Sequence, residues 1–159
     1  DVYDFEQRWT FPPCPQEWTH HPLYAECYGD GWLGMRRHDG TEGYWHSPSF
    51  TGLLNEYWDI HFYVEHFSRF AEDYWVASAV LQKKETGVGD WASTGEQLNI
   101  LSGGDGVWTF ELQEPYFHTG APTGWEYRIW IRARNTNSSL MTQCVIRRFD
   151  VLANVADPP

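Results

Sequence analysis

The sequence predicts an all-β protein: a β-sandwich of jelly-roll type built from two antiparallel sheets. Three observations carry this. Segments with period-two alternation recur along the chain, separated by turn signals such as "GDG", "HDGTEG", "SGGDG" and "TGAPTG". Aromatic residues make up 18% of the 159 residues, with 10 Trp, while Gly (14) and Pro (9) punctuate the chain, a composition that favours strands and turns. No segment shows the apolar period of an amphipathic helix. The length is that of one domain, and a chain of this size buries about 68–70% of its unfolded surface, enough for a core.

Strands are expected near residues 2–9, 31–38, 43–50, 56–67, 73–83, 96–101, 106–113, 125–134 and 142–153. In "EYWDIHFYVEHF" the set Trp58, Ile60, Phe62 and Val64 forms the core face. Tyr57, Asp59, His61, Tyr63 and Glu65 form the other, mixing aromatic planes with hydrogen-bonding groups. In "GWEYRIWIRARN" the apolar face is Tyr127, Ile129, Ile131 and Ala133. The opposite face, Glu126, Arg128, Trp130, Arg132 and Arg134, sets a tryptophan between two arginines, which either stack on it or share a ligand with it. "DYWVASAVLQKK" is apolar on both faces and is expected to lie centrally. In "VIRRFDVLAN", Ile146, Arg148, Asp150 and Leu152 are expected on one face and Val145, Arg147, Phe149 and Val151 on the other. An aspartate in that position needs an arginine or a metal as partner.

In "GYWHSPSF", Phe50 is the expected core anchor, Ser47-Pro48 the step into the sandwich, and Trp45 the ring expected to face out. Trp18, Trp32, Tyr44, Trp91 and Trp125 flank loops in the same way, each either capping the core or standing at a ligand. Cys14 and Cys27 lie in a loop-rich stretch, where a bridge would contribute about 3 kcal/mol by chain entropy; they either pair or remain thiols. Cys144 reads as a buried thiol, and without a CxxC pair zinc is not expected. "NSS" at Asn137 matches a glycosylation acceptor, a triplet frequent by chance.

The 22 acidic and 11 basic residues give a formal net charge of -11, which argues against nucleic acid and against an anionic membrane surface. No run of eighteen apolar residues is present, so a membrane-spanning helix is not expected. "DVYDFEQRW" lacks a basic-then-apolar signal, so any targeting peptide is expected to have been removed. "NVADPP" reads as the start of a linker, giving one domain over 1–153, a linker from 154, and covalent attachment to other domains.

Three pieces in chain order, "YDFE", "GYWHSPSF" and "RRFDVLAN", resemble the galactose-binding-like jelly-roll modules, which include carbohydrate-binding modules of polysaccharide-degrading enzymes and MAM-type adhesion domains. The resemblance spans nearly the whole chain through short motifs. It implies a structural calcium held by Glu6 and Asp150, with oxygens from the 30–42 region completing the shell. Departures from the pattern are the long loop Phe11 to Asp30 and Phe149, which stands where a second acid is common. The alternative for Asp150 is an ion pair with Arg147 or Arg148.

The function expected is non-catalytic binding of plant or algal cell-wall polysaccharide by a secreted or cell-surface monomer. Sugars present C–H faces that suit aromatic rings and hydroxyl rims that suit polar side chains, and strands hold both types ready. The candidates are Trp130, Arg128 and Arg132; Tyr57, Asp59, His61, Tyr63 and Glu65; and Trp45 and Trp91. If the two strands shared a sheet they would form one platform. A MAM-like protein-interaction domain is the first alternative. The second is a small enzyme: a glycosidase using Asp59 with Glu65 or Glu111 with Glu114, or a lyase using Tyr63, His61 and Arg128. No nucleophile elbow, phosphate loop or HExxH is present.

Overall fold

A computed structural model of the chain describes residues 2–10, 18–20, 25–27, 33–37, 42–53, 57–70, 75–87, 89–101, 108–118, 124–135 and 142–157. Eleven strands are assigned among them: β1 (Phe5–Thr10), β2 (Thr19–His20), β3 (Ala25–Cys27), β4 (Leu33–Arg37), β5 (Glu42–His46), β6 (Tyr57–Phe70), β7 (Trp75–Glu85), β8 (Ala92–Leu101), β9 (Trp108–His118), β10 (Trp125–Asn135) and β11 (Thr142–Ala156). All nine expected strands are present, and β2 and β3 add to them. Their two and three residues are too short to show a period. β11 continues to Ala156, three residues past the expected domain end, and there the Asp4 carboxylate accepts the Val155 N–H at 2.8 Å.

The strands form two antiparallel sheets. One has the order β3-β4-β11-β6-β9, with β1 also paired to β11; the other has the order β2-β5-β10-β7-β8. β4 pairs with β11 over Thr142 to Ile146 and β1 over Arg148 to Ala153, so the two follow one another along one edge of the longest strand. β6 occupies its other edge. β7 lies between β10 and β8 and is buried on both faces at Ala79, Val80, Leu81 and Gln82, as its two-sided apolar pattern requires.

The core lies between the sheets and takes up much of the aromatic excess. Both predicted apolar faces are confirmed: Trp58, Ile60, Phe62 and Val64 from β6 meet Tyr127, Ile129, Ile131 and Ala133 from β10. Phe50 stacks between Phe5 (5.7 Å) and Tyr127 (6.0 Å). Trp9 meets Trp18 edge-on at 5.1 Å, and Phe62 lies 5.6 Å from Phe149. Such ring pairs add about 0.5–1.5 kcal/mol each beyond their buried area. Gly52, at φ 123°, is required where it stands, because a Cβ there would lie 2.9 Å from the Phe5 ring.

Two facing expectations are corrected, both by an extra residue in a strand. Trp45 is 1% exposed and belongs to the core, so it is not the outward ring of "GYWHSPSF". Counting back from Phe50 in strict alternation puts Tyr44 inward and Trp45 outward. In the structure His46 pairs with Trp130 and Phe50 bridges Tyr127, four steps against three, so the residues around Pro48 invert the phase. Ser47 covers the irregularity: its N–H donates to the Ile129 carbonyl at 2.9 Å, its Oγ accepts the Ile129 N–H at 2.8 Å, and the same hydroxyl donates to the Pro48 carbonyl. In β11 a bulge between Ile146 and Arg148 leaves Arg147 as the extra residue, which turns Ile146 into the core with Phe149 and Val151. β9 carries a similar irregularity opposite Trp58 and Ile60, where Pro115 has no N–H to give to the ladder.

Candidate functional site

The two strands offered as one platform lie in different sheets: β6 in the first and β10 in the second. Since each buries its apolar face in the shared core, the polar faces look out from opposite sides of the sandwich. Tyr63 and His61 therefore cannot act together with Arg128, and the lyase set is dispersed. Asp59 and Glu65 are six residues apart on one strand, about 20 Å, well beyond the separation a glycosidase uses. The side chains of Glu111 and Glu114 lie outside the described ones.

On the second sheet, alternation turns Glu126, Arg128, Trp130, Arg132 and Arg134 of β10 outward. Register places His46 and Tyr44 of β5 beside Trp130 and Arg132 on one side, and Gln82, Val80 and Ser78 of β7 beside Arg128, Trp130 and Arg132 on the other. The rings form a continuous row: Tyr44 lies 5.0 Å from His46, which lies 6.0 Å from Trp130. Arg132 lies over the Trp130 ring at 4.5 Å, and Arg128 over Trp91 at 4.6 Å with Lys84 at 5.1 Å. Arg128 Nε donates to Gln82 Oε1 at 2.7 Å, which with the stacking on Trp91 fixes the guanidinium plane. No carboxylate among the described residues pairs with Arg128. Burial holds its pKa below the usual arginine value. His46 is pushed down to about 4, first by burial and then by the charge of Arg128, so its imidazole is neutral at ordinary pH. Tyr44, His46, Trp91, Arg128, Trp130 and Arg132 are all half-buried: positioned, yet still reachable.

The first sheet carries Glu6 and Arg8 from β1, Arg148 and Asp150 from β11, and Tyr57, Asp59, His61, Tyr63 and Glu65 from β6 on its outer face. Here charges close on one another. Asp150 is fully buried, and its Oδ2 accepts hydrogen bonds from Arg8 at 2.9 Å and from Arg148 at 2.7 and 2.9 Å. Arg8 also reaches Glu6 at 3.3 Å, and Arg148 reaches Glu65 at 3.8 Å while lying 5.0 Å over the Tyr63 ring. The carboxylates raise the pKa of both arginines, Arg8 chiefly through Glu6 and Arg148 chiefly through Asp150. Glu6 and Asp150, the expected calcium pair, are thus drawn together, but around guanidinium groups. A divalent cation there would face two positive charges, so the pair does not fit calcium. Among the described residues no cluster of three or more His, Cys, Asp or Glu is arranged to hold a metal. Most of the 30–42 region that was to complete the shell lies outside the described residues, as do Cys14, Trp32 and Asn137.

The loop-flanking rings divide. Trp18 and Trp45 are core, Trp125 packs against the core under Lys83 at 4.4 Å, and Tyr44 and Trp91 join the outer face of the second sheet. His46, Gln82 and Arg8 were not singled out from the sequence. Placing Trp45 in the core would have revealed His46 and Tyr44, its two neighbours in the alternation.

No family profile matches the chain, and no characterised protein matches it by sequence. Solved structures do match. Lectin II from Ulex europaeus superposes with a TM-score of 0.55 at 6% identity, over 97% of this chain and 100% of the lectin. The C-terminal CBM6 of LamC, a marine laminarinase from Zobellia galactanivorans, gives 0.51 at 12% identity over 93% of this chain and 99% of the module. The winged bean acidic lectin, solved with methyl-α-D-galactose, gives 0.51 at 8% identity over 96% and 100%. A family two carbohydrate esterase from Cellvibrio japonicus gives 0.49 at 13% identity over 98% of this chain, which spans only 36% of the esterase. At these identities the likeness is one of fold, and the chain is a jelly-roll β-sandwich of the kind seen in carbohydrate-binding modules and lectins.

Proposed function

We propose that the chain binds polysaccharide without catalysis, through the outer face of the β2-β5-β10-β7-β8 sheet. One observation carries the reading: the half-buried rings Tyr44, Trp130 and Trp91 are interleaved there with Arg128, Arg132 and neutral His46 on fixed strands. Rings offer flat surfaces to sugar C–H groups, and the polar groups between them offer donors to hydroxyls. The side chains are held by stacking and by the Arg128–Gln82 bond, so little ordering remains to be done on binding. Neighbours of the same fold that include a laminarinase module and a galactose-complexed lectin support this. On this reading the chain acts outside the cell, on plant or algal wall polymers, and keeps an attached enzyme or surface protein near them.

A protein-docking role is less favoured. Among the described residues the large hydrophobics that stand exposed are Val2 and Val155, which do not make a contiguous apolar patch. The test is affinity gel electrophoresis against soluble glucans, mannans, xylans, galactans and pectins. At least one polymer is expected to retard the protein, and Trp130→Ala to weaken that retardation about tenfold, the scale of a single interface anchor. Full mobility on every gel would end the proposal.

A further inference from the structure

We infer that the polymer taken by this face is anionic, bearing carboxylate or sulfate groups along its length, an inference that rests on the carbohydrate-binding reading above. Arg128, Arg132, Arg134 and Lys84 occupy outward positions of β10 and β7, where those two strands carry one outward carboxylate, Glu126, 3.9 Å from Lys84. Glu42 holds the register position across from Arg134. Among the residues whose side chains are described, the other outward register positions are uncharged: Thr19, Tyr44 and His46 on one side, and Ser78, Val80, Gln82 and Ser93 on the other. In a chain with twice as many acids as bases, four of the 11 basic residues are gathered here.

Arg128 is the centre of the argument. A partly desolvated guanidinium normally carries an anionic partner, because desolvation costs free energy that hydrogen bonds to a carboxylate offset. Arg8 and Arg148 obey this on the opposite face. Arg128 has the amide of Gln82 on Nε and the ring of Trp91 on its plane, and no carboxylate among the described residues. Its terminal amino groups form the fork that matches a carboxylate or sulfate bidentately. Arg128 and Arg132 are four residues apart on one strand, about 13 Å, with Trp130 midway. A ring between two cations suits a polymer in which one sugar lies on the indole while acidic groups of its neighbours reach the guanidiniums. The overall charge of -11 opposes approach at long range, but at physiological ionic strength that field is screened beyond about 8 Å, and the local face dominates.

The experiment compares polymers that differ in charge alone, using the whole chain in titration calorimetry: polygalacturonate against its fully methyl-esterified form, and a sulfated galactan against its desulfated form. The charged member of one pair is expected to bind about tenfold or more tightly than its neutral counterpart, and the pair that responds identifies carboxylate or sulfate. Arg128→Gln and Arg132→Gln are expected to erase that preference, Arg128→Lys to restore part of it, and Arg147→Gln, exposed at the β11 bulge, to leave it intact. Thermal melts of each variant confirm that it folds. Equal affinity for charged and neutral members, or an unchanged preference in both Gln variants, overturns the anionic assignment while polysaccharide binding stands. Absence of binding to both pairs and to the neutral panel overturns the carbohydrate-binding reading itself.

Discussion

The two outer faces of the sandwich arise from the same alternation, yet they dispose of charge in opposite ways. On the first sheet, register sets Arg8 across from Asp150 and Arg148 across from Glu65, so these two cations meet carboxylates and that part of the face closes on itself. On the second, Lys84 reaches Glu126 and Glu42 stands across from Arg134, but Arg128 meets the Gln82 amide and lies on the Trp91 ring, and Arg132 lies on the Trp130 ring. Alternation decides which residues point out. The cross-strand partner decides whether a charge is satisfied within the protein or kept for something else.

The most severe test of this comparison uses two tryptophans, one on either face of the β2-β5-β10-β7-β8 sheet. Trp45→Ala removes a core ring and is expected to cost about 3–5 kcal/mol. At about 2–4 °C per kcal/mol for a domain of this size, the melting midpoint should fall by roughly 6–20 °C. Trp130→Ala, on the outer face, should shift stability by about 1 kcal/mol or less and act on binding instead. A Trp130 variant that melts as low as the Trp45 variant would show the outer ring to be structural.

The closed face is tested by asymmetry. Asp150 is buried, whereas the Arg8 and Arg148 side chains are 38% and 33% exposed. Removing both arginines strands a buried carboxylate and is expected to cost about 3 kcal/mol. Asp150→Asn leaves two arginines that water can reach and is expected to cost about 1–2 kcal/mol. Equal costs in chemical denaturation would mean that the network does not shelter the aspartate. Chelator is expected to leave the midpoint of the parent protein unchanged. A midpoint that rises with added calcium, as ligand linkage requires for an ion bound to the folded state, would replace the arginine network by a metal.

What the sequence disclosed follows from where its strands are regular. β6 and β10 alternate without interruption over their core stretches, and both of their faces were legible. The errors fall where a residue is inserted. Pro48 and its neighbours invert the phase between Phe50 and Trp45, and Arg147 inverts it between Ile146 and Phe149. Neither bulge has a period of its own, so alternation carried across it gives the wrong face. Sheet membership was also hidden, because apolar pattern tells a strand that it has a core side but not which sheet supplies it. Register explains why Arg8 escaped notice: it is 142 residues from Asp150, and only the pairing of the first strand with the last brings them together.

The smallest expected effect concerns pH and probes how tightly the open face is built. The folded pKa of His46, about 4, lies below the ordinary value of 6.5 because the ring is desolvated and faces Arg128. Between those values the unfolded chain takes up a proton that the folded chain refuses, so His46 withdraws stability as pH falls from 6.5 towards 4 and has no such effect above 6.5. Other groups titrate in this window, so the measurement is a difference: denaturation midpoints of the parent minus those of His46→Gln. The difference should be flat above pH 6.5 and move against the parent below it. Arg128→Gln removes the charge contribution but leaves burial, the larger cause, so it should reduce the slope without abolishing it. A slope that vanishes in Arg128→Gln would make charge the whole cause, and His46 would then be a solvated ring beside Trp130 rather than part of a built surface.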